Sequence, residues 1–221
     1  MKAVVNASQA LGRALMLPIA VLPLAGLLLR LGQPDLLDMA AIAAAGDAIF
    51  SNLGILFAIG VAVGLAKENH GAAGLAGVVG YLVATKGAEV ILAVPPAVSA
   101  GVDADHVNLV VAAWKSKELG KLSVPIGIIS GVVGGLMYNR YANIRLPSYL
   151  AFFGGRRFVP IVTGGAGLLL AFVFGYGWPV LEAGMDQVSQ SVVSSGSFGL
   201  FAYGVLNRIL IVTGLHHIIN N

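Results

Sequence analysis

The chain contains no cysteine. That excludes disulfides, thiolate metal sites and any cysteine nucleophile within its 221 residues. Charge is also scarce. Asp, Glu, Lys and Arg make up 10% of the sequence, against about 25% in soluble domains. A soluble core of this size has no room to hide the remaining apolar surface, whereas lipid accepts it. Acidic residues are absent from Asn139 to Phe158. The glycine-rich stretch from Gly131 to Gly135 lacks the following Lys-Ser/Thr of a phosphate loop, which excludes nucleotide binding there. No group of residues has metal-ligand spacing. No cofactor and no nucleic-acid partner is therefore expected. The N-terminus lacks the charged, apolar and small-residue regions of a removable signal peptide, so the first apolar segment is expected to stay as an anchor.

What is present is apolar and glycine-rich: 57% hydrophobic residues and 30 glycines, with a mean hydropathy of +0.88. Glycine costs a soluble helix about 1 kcal/mol relative to alanine. In a membrane, small residues let helices approach closely. The expected fold is an all-α, polytopic transmembrane helix bundle with about six membrane segments.

Those segments are Leu11 to Leu31, Asp47 to Ala66, Gly71 to Thr85 with an extension towards Val94, Val124 to Tyr138, Phe158 to Leu181, and one from Val188 past His217. Pro18 and Pro23 predict a kink in the first. Only Lys67 to His70 separates the second from the third, which predicts a tight hairpin. Residues Ala40 to Ala45 are expected as a short interfacial helix. The stretch from Val107 to Trp114 is read either as a helix on the membrane surface or as part of a solvated loop. Glu182 and Asp186 are placed in a turn after the fifth segment.

Lys and Arg concentrate on the cytoplasmic side of membrane proteins. Lys2 and Arg13 precede the first segment, and Arg140, Arg145, Arg156 and Arg157 occupy the loop after the fourth. Asp35, Asp38 and Asp47 follow the first segment. The alternation predicts a cytoplasmic N-terminus.

Arg208, His216 and His217 stand in an otherwise oily stretch. Ionisable groups at membrane depth are costly and mark substrate or ion pathways by default. A neutral imidazole offers a donor and an acceptor to a sugar hydroxyl, and a guanidinium offers five donors. Histidine also titrates near neutrality and can assist proton movement. On a helix, Arg208 and His216 stand about 80° apart and can share a broad face. The competing reading makes the histidines interfacial and lets Arg208 snorkel to water.

Several stretches resemble one family. The opening Leu11-Gly-Arg-Ala-Leu-Met-Leu-Pro18 through Gly32-Gln-Pro-Asp35 resembles the start of enzyme IIC, the sugar permease of the bacterial phosphotransferase system. The likeness is to the glucose/N-acetylglucosamine type. Phe57 to Lys67, Gly71 to Gly77, Leu146 to Ile161, Asn207-Arg208 and Gly214 to Asn220 are similar to family segments in the same order. Gly-Gln-Pro-Asp together with Phe152-Phe-Gly-Gly-Arg-Arg-Phe-Val-Pro-Ile161 most resembles the N-acetylglucosamine permeases.

The resemblance implies a bacterial inner-membrane protein that imports N-acetylglucosamine or glucose. It implies a sugar site lined by Arg208 and His216, with His217 and Asn220 as second choices. His216 would lie near the hydroxyl that accepts phosphate. It also implies a IIB domain whose phosphocysteine donates the phosphoryl group, fed by IIA, HPr and enzyme I. Residues 1–185 would form the scaffold through which two copies dimerise, and 186–221 would begin the transport part. Family members continue with further helices, one carrying a sugar-binding glutamate, and the stretch from Pro95 to Ser123 is longer than the usual connection. No catalytic residue is expected in this chain. The alternative is a non-transporting membrane module: a dimerisation partner, surface receptor or remnant.

Overall fold

A computed structural model describes residues 2–103, 105–194 and 204. The described residues are helical, with no strand among them. Among the described residues, four helices, or five if one bent pair counts as a single span, are long and apolar enough to cross a membrane.

Two helices, α1 (Lys2–Ile19) and α2 (Leu22–Leu31), divide the first segment. Pro18 lies inside α1 and Pro23 in the first turn of α2. Proline lacks the N–H that a continuous helix needs, which fixes the break between them. The second segment is also divided, into α3 (Ala40–Ser51) and α4 (Leu53–Leu65), bent by 54°. Ala40 to Ala45 is thus no separate interfacial helix. It is the start of α3, whose buried Gly46 packs against the backbone of Leu29 and Ala25 in α2. Asn52 marks the break, and its Nδ2 donates to the Ala48 carbonyl at 2.8 Å.

Helix α5 (Gly71–Ile91) realises the longer form expected of the third segment. Its first turn is capped by His70, whose Nδ1 accepts from the Ala72 N–H at 3.0 Å. A single turn, α6 (Pro96–Ser99), precedes α7.

Helix α7 (Val107–Tyr141) corrects the sequence reading. The apolar stretch at Val107 and the fourth segment are one helix of 35 residues, about 52 Å long. Three polar residues that resembled a loop, Lys115, Glu118 and Lys121, find partners within the bundle. Lys115 Nζ, for example, donates to the Glu89 carbonyl at 2.7 Å. Helix α8 (Phe158–Ser194) brings a second correction, because it runs through Glu182 and Asp186 without a turn.

Glycine sets the packing distances. A Cβ on Gly127 of α7 would strike the Gly54 carbonyl of α4, and one on Gly134 would lie 2.8 Å from the Gly77 nitrogen of α5. Backbone therefore meets backbone along an α4–α7–α5 seam, as small residues allow between membrane helices. In the run from Gly71 to Gly77, Gly74 packs against Val63 and Ile59 and Gly77 against Ala58. On the outer side of α8, Leu168, Leu169, Phe172, Val173 and Tyr176 are more than half exposed. A continuous apolar face of that kind suits lipid.

Candidate functional site

The pairings place the start of α1, the 66–70 turn and the 142–157 segment at one end of the bundle. Ala14 meets Gly64, and Tyr138 meets Glu68. Arg13, Lys67, Arg140, Arg145, Arg156 and Arg157 belong to this basic end, where Glu68 is the one acid among the described residues. Every other described Asp and Glu belongs to the half carrying the acidic end.

At the basic end a polar cluster ties three segments together. Tyr138 Oη donates to Glu68 Oε2 at 2.8 Å, and Arg156 Nη2 donates to the same oxygen at 2.6 Å. The tyrosine hydroxyl, followed by the charge of Arg156, holds the Glu68 carboxyl below its ordinary pKa. The His70 ring stacks on Tyr138 with centroids 5.8 Å apart. Asn139 spans the end of α4: its Nδ2 donates to the Leu65 carbonyl at 2.9 Å and its Oδ1 accepts from the Lys67 N–H at 2.8 Å. Arg157 lies over the Phe152 ring, 4.9 Å from the centroid. Glu68 and His70, read from sequence as simple turn residues, therefore also hold the turn onto α7.

Towards the acidic end a second cluster joins α7 to α8. Lys121 Nζ donates to Glu118 Oε1 at 2.9 Å and to Glu182 Oε1 at 3.2 Å. Trp178 Nε1 donates to the other Glu118 oxygen at 3.1 Å. The Glu118 side chain is 5% exposed and that of Lys121 17%. Sequence reading passed over this cluster because it assigned the polar part of α7 to a loop. The available signal was Glu118 and Lys121 at helical spacing between two apolar runs.

The sequence-derived sugar residues Arg208, His216, His217 and Asn220 lie outside the described residues. Their grouping rests on the sequence alone.

A family model for "Phosphotransferase system, EIIC" matches residues 12–221. The chain belongs to the EIIC family. Among curated relatives, this EIIC chain is 49% identical over 212 residues to the "PTS system N-acetylglucosamine-specific EIICBA component" of Escherichia coli (strain K12). The match covers 96% of the chain and 29% of that relative. It is 38% identical over 213 residues to the N-acetylglucosamine-specific EIICB component of Bacillus subtilis (strain 168), covering 96% and 42%. It is 39% identical over 232 residues to the glucose-specific EIICBA component of Staphylococcus carnosus (strain TM300), covering 95% and 33%. The EIIC chain thus spans less than half the length of these relatives. EIIC is a sugar-transport component of a phosphoryl-transferring system, in keeping with the family resemblance seen in the sequence.

Proposed function

We propose that this EIIC chain is the membrane permease part of a phosphoenolpyruvate-dependent phosphotransferase system that imports N-acetylglucosamine. The observation carrying this reading is the 49% identity to a protein named for that sugar. In this reading Arg208 and His216 hold sugar hydroxyls at membrane depth, with His217 and Asn220 beside them. Residues 1–185 act as the scaffold of a homodimer and 186–221 open the transport part. Access then alternates between the two membrane faces.

The chain has no cysteine, so a phosphocysteine donor must come from a IIB domain, itself supplied through IIA and HPr. The cluster of Arg13, Lys67, Arg140, Arg145, Arg156 and Arg157 at the basic end supports an orientation in the bacterial inner membrane with that end inside. A IIB domain would then approach the end built by Glu68, Arg156 and Arg157.

Vesicles holding the chain, a IIB protein, IIA, HPr, enzyme I and phosphoenolpyruvate provide the assay. Labelled N-acetylglucosamine should be converted to sugar phosphate, and Arg208→Ala or His216→Ala should abolish that conversion. Unchanged conversion in both variants would overturn the site assignment. Preference for glucose over N-acetylglucosamine would overturn the specificity.

A further inference from the structure

A cavity of about 610 Å³ opens between the α3–α4 break, α5 and the middle of α7. Small-molecule sites range over about 300–1,000 Å³. Its polar lining comes from Ser51 on α3, Tyr81 and Thr85 on α5, and Ser116, Lys117, Lys121 and Ser123 on α7. Phe50 adds an aromatic wall from the end of α3.

Three features of this lining point to a ligand rich in hydroxyls. Tyr81 Oη and Ser123 Oγ share one hydrogen bond of 3.1 Å, which leaves further donor and acceptor capacity on the pair. Thr85 Oγ1 is buried without a hydrogen-bond partner. A helical threonine can return its hydroxyl to the carbonyl one turn back, as Thr163 does to Val159 at 2.9 Å. Thr85 forgoes that bond. Pro125, also in the wall, has no N–H, so the Lys121 carbonyl loses its helical donor.

The charge is balanced. Lys117 and Lys121 line the cavity, while Glu118 and Glu182 stand behind Lys121. An anion would find its attraction to the lysines offset by two carboxylates. A neutral ligand is not penalised in this way.

We propose that this cavity binds a neutral polyhydroxylated ligand of the size of one sugar ring, as a staging site whose occupancy does not depend on Arg208 or His216. Its assignment to a sugar rests on the reading of the chain as a sugar permease. The hydroxyl pair and the Lys121 carbonyl supply the polar contacts, and a turn of the Thr85 side chain brings its enclosed, unpaired oxygen to the ligand. The Phe50 ring packs against the C–H face.

The cysteine-free sequence makes a direct test available. A Cβ on Gly120, which lines the cavity, meets nothing within 4 Å, so Gly120→Cys introduces one thiol without a clash. The full chain carrying it is placed in phosphatidylcholine vesicles and labelled with a maleimide. Saturating N-acetylglucosamine should slow labelling about tenfold, the effect of roughly 1.4 kcal/mol of protection. Labelling of Ser148→Cys at the basic end should not change. Adding Thr85→Val should remove the protection, and adding Arg208→Ala with His216→Ala should leave it intact.

The proposal is overturned if the sugar does not slow labelling at position 120, or slows both positions equally. It is also overturned if phosphatidylglycerol protects and the sugar does not, or if protection requires Arg208 and His216. Loss of sugar protection alongside intact, Arg208-dependent phosphorylation would remove the staging site and leave the permease reading standing. The reverse pattern would keep a sugar-binding cavity and remove the permease reading.

Discussion

The indole Nε1 of Trp178 donates to Glu118 Oε2 at 3.1 Å, which fixes the carboxylate whose other oxygen holds Lys121. One buried carboxylate thus serves two helices. Its neighbour Glu182 lies further out, with 34% of its side chain exposed.

Removing the cation alone should be worse than removing the whole network. Lys121→Met leaves Glu118 buried and unpaired, and breaking a buried pair in this way costs about 3–5 kcal/mol. The triple variant Glu118→Gln, Lys121→Met, Glu182→Gln should recover most of that loss. Thermal unfolding in detergent checks the order, and a triple variant less stable than Lys121→Met would contradict it.

Two glycines of α7 should respond in opposite directions. Gly127→Val must force α7 away from the Gly54 backbone, and overpacking of this kind costs about 1–3 kcal/mol or more. Gly120→Ala meets open space and should stabilise the helix by up to about 1 kcal/mol. Melting temperatures of the two variants decide this.

Acid should weaken the basic-end cluster. The Glu68 carboxyl titrates below its ordinary value, so its stabilisation is fully present above that value. The stabilisation is lost as pH falls through the depressed one. The wild type should therefore melt above Glu68→Gln at neutral pH, and the two should converge well below pH 4, under the ordinary glutamate value of about 4.3. Tyr138→Phe, which removes the largest cause of the depression, should shift the convergence to higher pH.

Orientation is testable with the same cysteine-free background. Asp105→Cys should react with a membrane-impermeant maleimide on intact cells, and Ser148→Cys only after the membrane is opened. Labelling of position 148 from outside would reverse the topology.

Phosphorylation should depend on a supplied IIB protein. With IIA, HPr, enzyme I and phosphoenolpyruvate but no IIB, sugar phosphate should stay at background. Product formed without IIB would contradict the absence of a donor in this chain.

The apolar runs and the prolines made the helical class and the first break readable in advance. The tight turn at Lys67 to His70 was equally plain, because four polar residues cannot do more than reverse the chain there. The length of α7 was not readable. Lys115, Glu118 and Lys121 look like loop residues along the sequence, and only the facing Trp178, Glu182 and Glu89 carbonyl reveal their place in the bundle. The bend at Asn52 was hidden for a similar reason. Its side chain caps the Ala48 carbonyl, and nothing in the local hydropathy records that bond. The proposed sugar residues Arg208, His216, His217 and Asn220 come from the oily run around them and the family resemblance alone, and they lie outside the described residues.

The contact between Gly54 and Gly127 also bears on motion. Where two backbones interlock without intervening side chains, sliding would require one helix to climb out of the other's groove. Helices α4, α5 and α7 should therefore travel as a single rigid block, and any rocking between membrane faces must take place around them.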